Sequence, residues 1–250
     1  MLNKQSACNF PAHCFALDKI VIIPTYNEIE NIAKIIRKVF SLPGRFHVLI
    51  IDDGSPDGTA AAVRTLQNEY MDQLFLIERN GKQGLGTAYI TGFKWSLEKG
   101  YQYIFEMDAD FSHNPDDLLR LHEACANGSC EVSVGSRYVK GGRVENWPMN
   151  RIFISYGASV YVRLITWMHV KDCTAGFVCY KREVLQKIAL DEVRFIGYAF
   201  QIEMKYRALK AGFRIREIPI TFVDRKEGHS KMSKGIIKEA ILGVWKMKFA

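Results

Sequence analysis

Two hydrophobic rhythms alternate through the first half of the chain. Lys19 to Ile23, His47 to Ile51, Leu74 to Glu78 and Tyr103 to Met107 are short apolar runs that predict strands. Between them, Glu28 to Phe40, Thr59 to Tyr70 and Gly86 to Leu97 repeat apolar residues at helical spacing, as at Ile32, Ile35, Ile36 and Val39. Strand and helix in strict alternation predict an α/β fold on a mostly parallel sheet. After Asp110 the rhythm changes to a short helix near Pro115 to Ala126, a strand near Glu131 to Gly135 and a basic, glycine-rich loop from Arg137 to Arg143. Arg151 to His169 then reads as a long helix, and Lys231 to Lys248 as another with lysines beside Ile236, Ile237, Ile241, Leu242 and Trp245. Both have the character of helices that lie against a membrane surface.

Length and composition narrow the class. A chain of 250 residues is near the limit of one hydrophobic core, so we expect an extension at residues 1–18 and a single domain over 19–250, with halves 19–135 and 136–250. Hydrophobic residues at 48% and charged ones at 24% exclude a disordered or fibrous chain. The longest apolar stretch, Ile152 to Val170, is interrupted by Ser155, Ser159, Arg163, Thr166 and His169, which excludes a multi-pass membrane protein. A net charge of +7 favours an anionic partner without choosing among phosphate, lipid and nucleic acid. The first 17 residues lack the apolar core of a secretory signal. Cysteines at 8, 14, 125, 130, 173 and 179 form no C-x-x-C pair, so reduced thiols are expected.

Ligands of parallel sheets bind beyond the carboxyl ends of the strands, and here those ends carry Pro24-Thr-Tyr-Asn-Glu, Asp52-Asp-Gly-Ser and Asp108-Ala-Asp. Asp108 and Asp110 after an apolar run suit a hard cation, Mg2+ or Mn2+, which keeps few protein ligands and completes its shell with water and phosphate. The implied substrate is a diphosphate. Asp53 is placed to accept hydrogen bonds from a base or ribose, whereas Asp57 reads as a helix cap. Glu28 suits either the site or the first turn of a helix. Gly81, Gly84 and Gly86 have the reverse of a dinucleotide spacing and read as a tight turn into the helix at Thr87, with Lys82 near a phosphate as the alternative. Walker, G-x-S-x-G and H-E-x-x-H signatures are absent.

Taken in order, Pro24-Thr-Tyr-Asn-Glu, Ile51-Asp-Asp-Gly-Ser-Pro-Asp-Gly, Gly84-Leu-Gly-Thr-Ala-Tyr and Met107-Asp-Ala-Asp-Phe-Ser-His-Asn-Pro resemble glycosyltransferase family 2. Gly135-Ser-Arg-Tyr, Asp172-Cys-Thr-Ala-Gly-Phe, Gly197-Tyr-Ala-Phe-Gln-Ile-Glu and Phe222-Val-Asp-Arg-Lys-Glu-Gly-His-Ser-Lys narrow the resemblance to its dolichol- or polyprenol-phosphate mannosyltransferases, over Lys19 to Lys248. Ala175 and Phe111 depart mildly from the pattern, where serine and leucine are usual. The resemblance implies a GT-A fold and metal-dependent, inverting transfer of mannose from GDP-mannose to a polyprenol (dolichol) phosphate, giving a β-linked product. It assigns Pro24, Tyr26, Glu28, Ile51 and Asp53 to the nucleoside, Ala109 to the nucleotide, and Asp108 and Asp110 to metal and diphosphate. Arg137, Arg225 and Lys231 fall to the phosphates of donor or acceptor and, with Asp110, form the implied catalytic set. Another nucleotide sugar, such as UDP-glucose, is the alternative donor.

A phosphomonoester is already an anion near neutral pH, so no general base is expected. The polyprenol requires a membrane surface, reached peripherally or through a small anchoring subunit, and the expected location is the cytoplasmic side: the endoplasmic reticulum in a eukaryote, the plasma membrane in a bacterium. No nucleic acid partner is expected, because the carboxylate cluster repels its backbone. Asp224 to Lys231, charged and interrupted by Gly228, is expected to close over the donor phosphates as a flap.

Overall fold

The computed structural model describes residues 18–224 and 243–248. Strands β1 (Lys19–Thr25), β2 (Phe46–Asp52), β3 (Leu74–Glu78) and β4 (Tyr103–Glu106) alternate with helices α1 (Ile29–Phe40), α2 (Thr59–Gln67) and α3 (Leu85–Lys99). These strands run parallel in the order β3-β2-β1-β4. β1 and β2 are apolar on both faces because both are covered. Val21, Ile23, Val48 and Ile50 share one core with Ile32, Ile35, Ile36 and Val39 of α1. Ile20, Ile22, Leu49 and Ile51 share the other with Ala88, Tyr89 and Phe93 of α3. α3 approaches β1 this closely because position 92 is glycine: a Cβ there would stand 2.7 Å from Ile22 Cγ2.

The second half departs from the simple rhythm. It runs α4 (Asp117–Ala126), β5 (Val132–Ser136), β6 (Arg143–Glu145), α5 (Met149–Thr166), β7 (Val178–Lys181), α6 (Arg182–Lys187), α7 (Tyr198–Lys210), β8 (Ile215–Pro219) and β9 (Thr221–Val223). The main sheet has seven strands in the order β3-β2-β1-β4-β7-β5-β8, and β6 and β9 form a separate parallel pair. β7 is antiparallel to both its neighbours, with Val178 opposite Glu106 and Val134. That reversal brings the residues entering β7 to the edge of the sheet where β4 and β5 end.

The helix expected over Arg151 to His169 begins earlier, at Met149, and stops at Thr166, because Trp167 turns the chain into the left-handed region at φ 60°. Of the helix expected over Lys231 to Lys248, residues 243–248 are helical and the rest lie outside the described residues. No helix among the described residues is long and apolar enough to cross a membrane. Cys125, Cys130, Cys173 and Cys179 are buried free thiols, and Cys8 and Cys14 lie outside the described residues.

Candidate active site

The ends of β1 and β2 form one side of the site. Asp52 is buried, accepting from Thr25 Oγ1 at 2.9 Å, Ser55 Oγ at 2.6 Å and Ser55 N at 2.8 Å, so it holds the turn together. Its neighbour Asp53 accepts from Arg79 Nε at 2.6 Å, and Arg79 also donates to Thr87 Oγ1 at 2.8 Å. This pair ties the glycine turn before α3 to the end of β2. Glu28 occupies the cap position of α1, with its N–H donated to Thr59 Oγ1 and its carboxylate accepting from Asn31 Nδ2 at 3.3 Å. Asp57 accepts from the Thr59 and Ile29 backbones at 3.0 and 3.1 Å, so the expected cap serves two helix starts. Tyr26 lies under Lys82, whose Nζ is 3.9 Å from the ring centroid. Ile51 and Ala109 bury their side chains in the two cores.

Beyond β4 the chain opens a cavity of about 610 Å3. Asp108, Asp110 and Ser112 line it from the strand end, Arg137 from the end of β5, Thr174 and Gly176 from the approach to β7, and Arg151, Ser155, Ala158 and Val162 from one face of α5. Phe111 has φ 58°, a left-handed conformation that is strained for a bulky residue and turns the chain so that Asp110 Oδ1 accepts from Ser112 N at 3.0 Å. Ser112 Oγ is buried without a hydrogen-bond partner on this cavity. Two carboxylates and an unsatisfied hydroxyl are hard oxygen donors, and they fit Mg2+ or Mn2+. No cluster of three His, Cys, Asp or Glu suited to a metal exists among the described residues, so water and substrate phosphate would supply the other ligands.

Arg137 is held by a buried carboxylate. Asp172, fully excluded from solvent, accepts from Arg137 N at 2.9 Å, from Nε at 2.7 Å and from Nη2 at 2.7 Å. Trp147, Tyr138 and Phe222 surround the guanidinium with ring centroids 5.1 to 5.5 Å from Cζ. Arg151 stacks on Trp147 at 3.9 Å, and its Nη1 lies 3.1 and 3.2 Å from the two oxygens of Asp224. Beneath the floor, the buried Lys205 donates to Ala175 O at 2.6 Å and Gln201 O at 3.1 Å, while Gln201 Nε2 donates to Glu106 Oε2 at 2.6 Å. Burial pushes the Glu106 carboxyl up and the Lys205 ammonium down, and the attraction between them opposes both shifts.

His113 is stacked on Phe177 at 4.8 Å, and its Nδ1 accepts the Asp108 N–H at 3.3 Å. Burial pushes its pKa down to about 4, although the Asp110 charge pulls it upward. It is therefore neutral at pH 7, its 3.9 Å approach to Asp108 is not an ion pair, and its Nδ1 lone pair is already engaged.

Of the residues expected from the sequence, Asp108, Asp110 and Arg137 meet on the cavity. Pro24, Tyr26, Glu28, Ile51 and Asp53 stand at the ends of β1 and β2, one and two strands away, or about 5 to 10 Å across the sheet. Arg225 and Lys231, with all of the expected flap after Asp224, lie outside the described residues. Sequence reasoning passed over Arg79, Trp147, Arg151, Gln201 and Lys205. The last two fall in or beside a motif block that resembles the family; Arg151 carries no local signal, since it reads only as a helix start.

Comparisons with known proteins agree with this fold. The chain is 46% identical over 225 residues to a polyprenol monophosphomannose synthase of Mycolicibacterium smegmatis, covering 90% of this chain and 84% of that protein. It is 44% identical to an undecaprenyl-phosphate mannosyltransferase of Micrococcus luteus, covering 90% and 91%. Among solved structures, glucosyl-3-phosphoglycerate synthase of Mycobacterium tuberculosis, in complex with Mn2+ and UDP, superimposes with a TM-score of 0.66 at 14% identity, over 94% of this chain and 81% of that one. A mannosyltransferase of Pyrobaculum calidifontis in complex with GDP-mannose and Mn2+ gives a TM-score of 0.58 at 17% identity, over 92% and 69%. These likenesses establish the GT-A fold expected from the sequence. Residues 20–189 match glycosyl transferase family 2, and the chain belongs to that family.

Proposed function

We propose that this chain transfers mannose from GDP-mannose to a polyprenyl phosphate, with inversion at the anomeric carbon. What carries the reading is one cavity that joins the carboxylates Asp108 and Asp110, the cations Arg137 and Arg151, and an apolar wall from α5. The names of the relatives point the same way. The acceptor phosphate oxygen forms a bond to mannose C1 as the bond from C1 to the GDP oxygen breaks. The acceptor is already ionised, which agrees with a cavity whose histidine is neutral and hydrogen-bonded. Arg137 and Arg151 bind and orient phosphate oxygens, so the reaction depends on positioning and charge. A Mg2+ or Mn2+ held by Asp108 and Asp110 would supply neutralisation of the departing diphosphate. Pro24, Tyr26, Glu28 and Asp53 take the nucleoside side, and Arg225 and Lys231 complete the phosphate contacts.

The direct test is the formation of a lipid-extractable phosphomannose from GDP-mannose and polyprenyl phosphate. A thermal-shift panel separates the donors: a ligand present at about a hundred times its Kd stabilises by about 2.7 kcal/mol, so GDP with Mn2+ should raise the melting midpoint and UDP should not. A larger shift with UDP would favour the UDP-glucose reading instead.

The protein meets the membrane peripherally, on the cytoplasmic side, through α5. Met149, Phe153, Tyr156, Leu164 and Trp167 follow helical spacing and are 63%, 67%, 49%, 72% and 81% exposed. They make an apolar stripe about 27 Å long, at 1.5 Å per residue. The other face of the same helix lines the cavity, so a lipid leaving the bilayer reaches the arginines directly. Lys248 stands beside it, with its Nζ 4.0 Å from the Trp167 ring. Replacing Phe153, Leu164 and Trp167 together by serine should weaken flotation with anionic liposomes at least a hundredfold, since each buried side chain contributes about 1.5–3 kcal/mol. Unchanged flotation would leave an anchoring subunit as the explanation.

A further inference from the structure

Glu217 lies on β8 and is not among the residues lining the cavity, yet its carboxylate grips both ends of the arrangement that holds Arg137. Oε1 accepts from Ser136 Oγ at 2.7 Å, one residue before Arg137, and from Asp172 N at 2.9 Å. Oε2 accepts from Lys171 N at 2.8 Å. Ser136 and Asp172 are both fully buried, so Oε1 meets its two donors on the sheltered side, whereas the bond from Lys171 N lies at the surface. The strand that carries Arg137 and the loop that carries its carboxylate partner are 35 residues apart in the chain and meet at Glu217.

We propose that Glu217 is a positioning residue for the transfer: it fixes Arg137 against the reacting phosphate by clamping Ser136 and Asp172 to one carboxylate. The proposal rests on the reading that Arg137 meets a substrate phosphate. Asp172 takes the Nε and Nη2 edge of the guanidinium, so phosphate is met from the Nη1 side, and the direction of those bonds depends on how that edge is held. Asp172 fixes the fork, but a carboxylate fixes nothing unless its own main chain is fixed. The Asp172 and Lys171 N–H groups need acceptors in a segment that belongs to neither strand nor helix, and Glu217 supplies both. A glutamine at 217 would keep one oxygen and lose the acceptor for one donor; an alanine would lose them all.

The test is kinetic and uses the whole chain. Displacing a catalytic group by about 1 Å can cost a hundredfold, so Glu217→Ala should lower kcat by about tenfold to a hundredfold while the GDP dissociation constant stays within about twofold. Glu217→Gln should recover most of the rate. The decisive comparison is a double-mutant cycle with Arg137→Lys, which keeps the charge and loses the fork. In that background Glu217→Ala should cost less than about threefold more, because the group it aims is already gone. Circular-dichroism melts accompany each variant. A full, multiplicative loss in the Arg137→Lys background, or a loss of rate that follows the fall in melting midpoint across all variants, would overturn the clamp as a merely structural contact. An impaired Arg137→Lys beside an unimpaired Glu217→Ala defeats the clamp alone. A fully active Arg137→Lys defeats the phosphate reading of Arg137 and the clamp with it.

Discussion

Asp110→Asn should abolish most transfer and leave the fold intact. The substitution removes one negative charge from a cavity whose chemistry is charge neutralisation, while its Oδ1 can still accept the Ser112 N–H that shapes the loop. Removing one electrostatic contact from a reacting centre costs about a hundred- to a thousandfold in kcat, and the loss should be at that level or greater if a metal leaves with the charge. The melting midpoint should move little, because Asp110 sits on the cavity and supports no core packing. Asp108→Asn should be comparably severe. Transfer is measured at saturating Mn2+, since a merely weakened metal site would be refilled there; near-normal turnover under that condition would remove Asp110 from the mechanism.

Asp172→Ala should be the most destabilising polar substitution in the site. It leaves the Arg137 guanidinium, only 9% exposed, without the carboxylate that accepts its Nε and Nη2. Breaking a buried ion pair by removing one partner costs about 3–5 kcal/mol. For a domain of this size each kcal/mol shifts the melting midpoint by about 2–4 °C, so a fall of roughly 6–20 °C is expected. Stability and activity can then be separated with a second variant. Replacing both partners, as Arg137→Met with Asp172→Leu, removes the uncompensated charge and should restore much of the midpoint, because apolar residues can replace a buried pair at little cost. It should not restore transfer, since Arg151 is then left without the Arg137 charge beside the phosphate. Recovery of turnover in the double variant would show that the pair is a strut and that Arg137 has no role in the chemistry.

The two aspartates after β2 show where the reading of residues stops. Asp52 and Asp53 are equivalent as sequence, both carboxylates at a strand end. In the fold Asp52 is spent on Thr25 and Ser55, whereas Asp53 pairs with Arg79. Arg79 itself has no motif; its role comes from β3 lying beside β2 in the sheet. Arg151 gives the same lesson from the other side of the cavity. Read along the chain it begins a helix, and only the packing of α5 over the strand ends turns it toward the site, with Asp224 paired to it from 73 residues away.

The parallel half of the sheet, the helices that cover it and the position of the Asp-x-Asp pair at a strand end were legible in the residues alone. Those features follow from local patterning: strand and helix periods are set by neighbours within a few residues, and a ligand edge follows from strand direction. Family membership was legible too, because short motifs in a fixed order survive where most side chains vary. Long-range packing set β7 antiparallel between β4 and β5, and so brought Asp172 to Arg137. It also decided that one face of α5 lines the cavity while another carries an apolar stripe to the surface. The physical reason is common to both. Val178–Lys181 is a four-residue strand whose pairing partners lie more than 40 residues away, and α5 carries apolar residues around most of its circumference, so neither segment holds a local pattern that states its register or its face. Those choices are made by what packs against them.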